Sequence, residues 1–414
     1  MEMKKAVVTG IGLISVLGDN LTDYWNGLIN GKSGISKITL FDASPFPTQI
    51  GGEIPDFVAA NYIDKKEARR MSRSAQMALS AAKLAFEDAG LTADDIKDPE
   101  RAGVVYGSAI GGVDRVEEGI YSIREKGFKR TNPFILPSGL PNFAAFTIAK
   151  QYQLLGQNKT ITTACATSTQ TIGEAMDLIR YGKADIVVAG GSDCLILDYV
   201  VGGFCSMRAM PTNFNDEPTK ASRPWDKDRE GFVLSEGAAI VILESEEHAK
   251  ARNAKIYAEI AGYSSSSDAF HMAAPEPNGA GPIRSMRWAL KDAGMNPDEI
   301  DYVNAHGSST PLNDIIETNA VKEVFGDHAY NMCMTSTKAM IGHAMGATGA
   351  LEAIASILTI QNDIVPPTIN LDEADEGCDL NYVPNTAQER PINAAISNSF
   401  GLGGQNATMV IRKY

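Results

Sequence analysis

Cysteine and histidine are scarce in this chain, and neither is grouped. The five cysteines, Cys165, Cys194, Cys205, Cys333 and Cys378, are odd in number and lie far apart. With no CxxC pair they suggest neither a disulfide framework nor a zinc site, so reduced thiols are expected. The five histidines include no HExxH spacing, and no metal centre is expected. Positive charge is the minority sign, with 37 Lys and Arg against 51 Asp and Glu and a formal net charge of −14. That balance excludes a general nucleic-acid binder, and an acidic partner would need a local basic patch. No apolar run approaches the roughly 20 residues that span a bilayer. The first apolar stretch, from Ala6 to Thr9, is broken at once by Gly10 and is too short for a signal peptide, so a cytoplasmic location is expected.

What is present is a long α/β pattern. At 414 residues the chain suggests two domains or two fused halves. Short β-rich runs, Val104 to Tyr106 and Ile186 to Ala189, end near glycine and alternate with helical segments. Ser74 to Ala89 predicts an amphipathic helix, with Met77, Ala81, Leu84 and Ala85 on one face and Gly90 as its stop. The alternation predicts buried parallel strands. Residues 86–96, FEDAGLTADDI, align without gaps to residues 290–300, LKDAGMNPDEI. Each copy precedes a strand that ends near a glycine, which favours an ancient duplication with halves 1–253 and 254–414. No Pro/Ser linker separates them, so they should pack as one body with a site at the junction. Thr9-Gly10-Ile11-Gly12 mimics a dinucleotide-binding turn, but Ser15 stands where the third glycine belongs.

One cysteine is set apart by its surroundings. In TITTACATSTQ, residues 160–170, a β-branched run leads through Ala-Cys-Ala into a helical pattern from Thr167 to Arg180. Cys165 is therefore expected at a strand-to-helix turn, where a helix N-terminus favours thiolate and its N–H groups can stabilise an oxyanion. A buried cysteine as a small hydrophobe is the plain alternative, and it holds for the other four. His306, after the strand Asp301 to Asn304, and His343, within STKAMIGHAMGATGALEA, occupy glycine-rich strand ends of the second half. His248 and His328 fit surface positions, and His271 is left open. Lys338 and Glu352 flank His343; if both are buried they should pair, since either charge alone would be costly. The terminal SNSFGLGG run, with Gly401, Gly403 and Gly404, fits either a glycine-rich hairpin or a mobile cover lending a backbone N–H to the thiol.

Together TACATS, NAHGSSTPLND, STKAMIGH, SNSFGLGG and SRPWDKDREGFVLSEGA (residues 222–238) resemble the condensing-enzyme branch of the thiolase-fold superfamily, and within it the β-ketoacyl-ACP synthase II group. The resemblance spans essentially the whole chain. It implies a thiolase-like fold, two duplicated αβαβα halves in a five-layered body, and a homodimer. It implies that Cys165 carries an acyl chain, that His306 and His343 serve decarboxylation of malonyl-ACP, and that Lys338, supported by Glu352, orients the site. It further implies an oxyanion hole from the N–H groups of Cys165 and Leu402, and an acyl pocket and gate at Ile110, Phe204, Phe400 and Leu402. Ser308 and Thr310 match positions near the pantetheine arm, and Lys65, Lys66, Arg69, Arg70, Arg130 and Arg208 are candidates for docking an acidic carrier protein. No cofactor is implied beyond the carrier's phosphopantetheine. Leu402 departs from the family, which usually has Phe there, and Ala273 and Ser308 replace threonines. A thiolase would need a second catalytic cysteine near the end, yet none follows Cys378; the initiation-type synthase pairs His with Asn. A polyketide or specialised-lipid ketosynthase has the same site, and a non-catalytic chain-length subunit would lack the nucleophile.

Overall fold

The computed structural model describes residues 3–414. Ten strands form one sheet: β1 (Ala6–Ile14), β2 (Ala102–Gly107), β3 (Asn158–Ile161), β4 (Ile186–Asp193), β5 (Gly237–Ser245), β6 (Ala258–Ser267), β7 (Tyr302–Asn304), β8 (Cys333–Thr335), β9 (Ala394–Gly401) and β10 (Gln405–Arg412). Their spatial order is β8-β7-β9-β10-β6-β1-β5-β4-β2-β3. The first five strands and the last five follow the same order, counted outward from the centre. In each set the two outer pairings are parallel and the two inner ones antiparallel. The sheet is thus mixed rather than parallel as expected. β4 returns as β5 after an excursion through residues 194–236, whereas β9 returns as β10 through a tight turn at Leu402–Gly404. The two sets meet where Ala6–Val8 of β1 pair antiparallel with Ala258–Ile260 of β6.

Helices complete the layers. α1 (Arg73–Asp88) packs outside β1 and β5, and α3 (Ala280–Ala293) packs outside β6 and β10. α2 (Thr167–Arg180) and α4 (Thr348–Asn362) lie between, each touching strands of both sets. Their position explains their composition: α4 is buried from Thr348 to Ile360, with no exposed stripe to fill with charge.

The internal sequence repeat is a repeated helix stop. α1 and α3 each end before a glycine in the left-handed region, Gly90 at φ +61° and Gly294 at φ +64°. Each is followed by a short turn with a reciprocal cap, Thr92 with Asp95 and Asn296 with Glu299. The dinucleotide-like glycines serve packing. A Cβ at Gly12 would lie 2.1 Å from the Ala81 carbonyl of α1. Gly262 of β6 does the same under α3, where a Cβ would lie 2.6 Å from the Ala289 carbonyl.

Candidate active site

Cys165 lies in the turn between β3 and α2, and the turn is strained. Ala164 has φ +50°, a region that side chains bearing a Cβ rarely occupy. Thr167 stabilises it: its hydroxyl donates to the Ala164 carbonyl at 2.7 Å and accepts the Thr163 N–H at 2.9 Å. The β9–β10 turn lies directly on top. A Cβ at Gly401 would lie 2.7 Å from the Thr163 carbonyl, so glycine lets the two turns touch. This brings the N–H of Leu402, and that of Cys165 itself, onto the sulfur. The SFGLGG run is therefore a hairpin tip, with Leu402 37% exposed at its rim.

The thiol is not poised as thiolate. Burial pushes its pKa up to about 11, outweighing both N–H groups and the Lys338 charge. This corrects the expectation from the helix N-terminus: desolvation of an anion in an apolar cluster costs more than the helix end returns. The Met345 sulfur lies 4.0 Å from Sγ.

His306 and His343 line the same cavity of about 410 Å³ as Cys165, with ring centroids 5.5 Å apart. Both rings are held neutral. Burial, then the Lys338 charge, pulls their pKa values well below the usual histidine range, and His343 adds to the effect on His306. His343 Nδ1 accepts the Met345 N–H at 3.2 Å and lies 3.0 Å from the Thr348 hydroxyl. A neutral ring that accepts at Nδ1 carries its proton on Nε2, and Nε2 has no partner among the described residues. His306 Nδ1 is also unpartnered. Its backbone is fixed by Glu317, which accepts the N–H groups of His306 at 2.9 Å and Gly307 at 2.8 Å.

Lys338 and Glu352 sit beneath the cavity as a directly bonded pair, 1% and 0% exposed. Burial pushes the Glu352 carboxyl up, and Lys338 partly offsets this. Phe400 lines the cavity 5.7 Å from the His306 ring. Ser308 and Thr310 line it too, with hydroxyls 2.9 Å apart. So do Arg208 and His271; His271 is exposed and its Nδ1 accepts from Ala273 and Ala274.

Other expected positions are not brought to this cavity. Ile110 is 46% exposed. Asp193 takes the N–H groups of Ala109 and Ile110, and the isoleucine side chain is left facing out. Phe204 does not line the cavity but packs against the apolar cluster that holds Cys165, meeting Phe232 edge-on at 5.1 Å, and it is Phe232 that lines the wall and packs on His343. Arg70 lines a separate groove of about 680 Å³ with Glu67 and Phe134, and Lys65, Lys66, Arg69 and Arg130 do not line the cavity of Cys165. His248 and His328 are half-buried rather than surface residues: one is held by Glu244 and the other bonds the Ile300 carbonyl. Sequence reasoning missed Asp193, Phe232, Met345, Glu317 and Asn398, whose side-chain N–H donates to Glu317 at 3.2 Å. Among the described residues no group of three His, Cys, Asp or Glu is arranged to hold a metal ion, and no helix is long and apolar enough to cross a membrane.

Known proteins are similar to this chain along its whole length. A relative from Coxiella burnetii, 3-oxoacyl-[acyl-carrier-protein] synthase 2, is 47% identical over 413 residues, covering 100% of this chain and 99% of its own. A protein of the same name from Synechocystis is 45% identical over 414 residues, with the same coverage. A β-ketoacyl synthase from Burkholderia phymatum superposes with a TM-score of 0.93 at 33% identity, each chain covered completely. A type II PKS ketosynthase, solved with its acyl-carrier protein and bound to the hexaketide, gives 0.92 at 36% identity, again with complete coverage. Residues 3–249 match the family model "Beta-ketoacyl synthase, N-terminal domain" and residues 257–372 its C-terminal counterpart, and the chain belongs to the β-ketoacyl synthase family.

Proposed function

We propose that this chain, a condensing acyltransferase, acts as a 3-oxoacyl-ACP synthase that extends an acyl chain held on Cys165. The observation that carries this is the convergence of one thiol, two neutral imidazoles and two backbone N–H groups on a single cavity. In the first half-reaction the Cys165 sulfur attacks the thioester of acyl-ACP. His343 has its ring lone pair occupied by the Met345 N–H, so His306 is the base left to take the thiol proton. That proton passes to the departing pantetheine thiolate. The N–H groups of Cys165 and Leu402 hold the oxyanion.

In the second half-reaction malonyl-ACP loses CO2, and the bonding pair stays behind as an enolate. His343 Nε2–H donates to that enolate, which a neutral ring does without the cost of a buried cation. The enolate carbon attacks the Cys165 thioester and expels the sulfur. A solvent proton restores the thiol, and the product is a 3-oxoacyl-ACP two carbons longer. The thioesters arrive on the carrier's phosphopantetheine, and the reading needs no resident cofactor. Ser308 and Thr310 offer hydroxyls to that arm, and Arg208 stands at the entrance.

The carrier-docking reading extends to the basic segment Lys65, Lys66, Arg69 and Arg70. Charge reversal at Lys66 and Arg70 tests it: the carrier KM should rise at low salt. Homodimerisation is supported by the edge position of β3 and by exposed Ile110, Val116, Ile120, Phe134 and Leu136 on nearby segments. Sedimentation of the native chain decides it.

Intact-protein mass spectrometry tests the main reading. A thioester on Cys165 after incubation with acyl-ACP, then a 3-oxoacyl-ACP after malonyl-ACP, is the expected result. No adduct on folded protein would restore the non-catalytic subunit, and a polyketide product would move the enzyme to a specialised pathway.

A further inference from the structure

A buried carboxylate lies at the junction of the halves, and the reaction outlined above does not use it. Asp193 ends β4 and is 0% exposed. Its Oδ1 accepts the Ser108 hydroxyl at 2.6 Å; its Oδ2 accepts the Ala109 N–H at 2.8 Å and the Gly346 N–H at 2.7 Å. One side chain thus ties the loop after β2, in the first half of the chain, to the turn before α4, in the second. The fit leaves no slack, because a Cβ at Gly346 would lie 2.5 Å from Asp193 Oδ2.

That turn is held at two adjacent points. Met345 N–H donates to His343 Nδ1, and Gly346 N–H donates to Asp193. Between them Met345 sits in the left-handed region at φ +46°, a conformation that persists only where neighbours enforce it. Were Gly346 N–H released, the Met345 peptide would be free to turn away from the imidazole. Thr348 Oγ1, 3.0 Å from Nδ1, would then be able to accept a proton placed there. The ring would change tautomer, and Nε2 would present a lone pair to an anionic enolate.

We propose that Asp193 is a positioning residue for the condensation: by holding Gly346 N–H it keeps Met345 N–H on His343 Nδ1, and so keeps the His343 proton on Nε2. This rests on the role given to His343 above. It separates Asp193 from a purely structural tie, which would affect both half-reactions alike.

The test combines 15N NMR of histidine-labelled full-length protein with separate rates for the two half-reactions. Wild type should show His343 protonated on Nε2 with a bare Nδ1. In Asp193→Ala, which leaves Gly346 N–H without an acceptor, the Nδ1–H form should appear, and condensation with malonyl-ACP should fall about tenfold or more while acylation of Cys165 stays within about threefold. If that variant does not fold, Gly346→Ala attacks the same contact from the other side and should give the same split. A wild-type His343 protonated on Nδ1 overturns the proposal without any variant. So does a folded Asp193→Ala with unchanged His343 signals, or with equal loss in both half-reactions. If wild-type Cys165 takes no acyl chain, the functional reading fails by itself, and the NMR result still judges the tautomer lock.

Discussion

A thiol buried among Val200, Phe232 and Met345 pays for its apolar company in acidity. The rate of Cys165 alkylation by iodoacetamide should keep climbing through the range where exposed thiols level off, with an inflection near 11. An inflection at the ordinary thiol value would remove the resting-state picture of a neutral site. The imidazoles depend on a third neighbour. Lys338 is a cation beside both rings, and a cation lowers a histidine pKa. Lys338→Met should therefore raise both histidine pKa values, seen by NMR titration, and reduce condensation by about tenfold or more as Glu352 loses its buried partner. Leu402 is expected to act through its bulk, at the rim of the cavity. Its N–H serves the sulfur whatever the side chain, so Leu402→Phe should leave acylation by short primers intact and narrow the range of long or bulky ones. Rates across a series of acyl-ACP primers check this; superimposable profiles would mean Leu402 selects nothing.

The Cys165 turn has a twin. Ala164 at φ +50° precedes Cys165, Ala166 and Thr167 at the head of α2; Met345 at φ +46° precedes Gly346, Ala347 and Thr348 at the head of α4. The same element thus presents a sulfur in one half and a bare backbone in the other, and Asp193 fills the space that a side chain at Gly346 would need. The helix stops are twinned as well. A Cβ at Gly90 or Gly294 would meet nothing within 4 Å, so the only cost of alanine there is backbone conformation. Gly90→Ala and Gly294→Ala should each lower stability by about 1 kcal/mol and add in the double variant, as urea unfolding would show. These stops were legible in the sequence because their chemistry is local: a glycine, then a cap three residues apart. Cys165, His306 and His343 were legible because small residues crowd around each. Asp193 and Glu317 were not, because what makes them matter is distant in the chain: Asp193 meets Gly346 across 153 residues.

At the scale of the molecule, the ten-stranded sheet and the two middle helices place several buried ionisable groups at one junction. Their effects on stability oppose one another. Stability falls with pH wherever the native state holds more protons than the unfolded chain. Burial pushes Asp193 up to about 6 and Glu317 up to about 7, so between the ordinary carboxylate range and those values the native state holds protons that the unfolded chain has lost. Acidification through that window stabilises the fold, and Glu352 adds in the same direction. His306 and His343 work the other way. Their pKa values are depressed, so below the usual histidine value the unfolded chain binds protons that the native rings refuse, and acidification destabilises the fold. Three carboxylates stand against two imidazoles, and calorimetry should find Tm rising modestly as pH falls from about 7 to about 5. Replacing both rings, as in His306→Asn/His343→Asn, removes one side of the balance. The double variant should gain more Tm than wild type over the same window, and a fall in both would show that these buried carboxylates do not hold their protons in the native state.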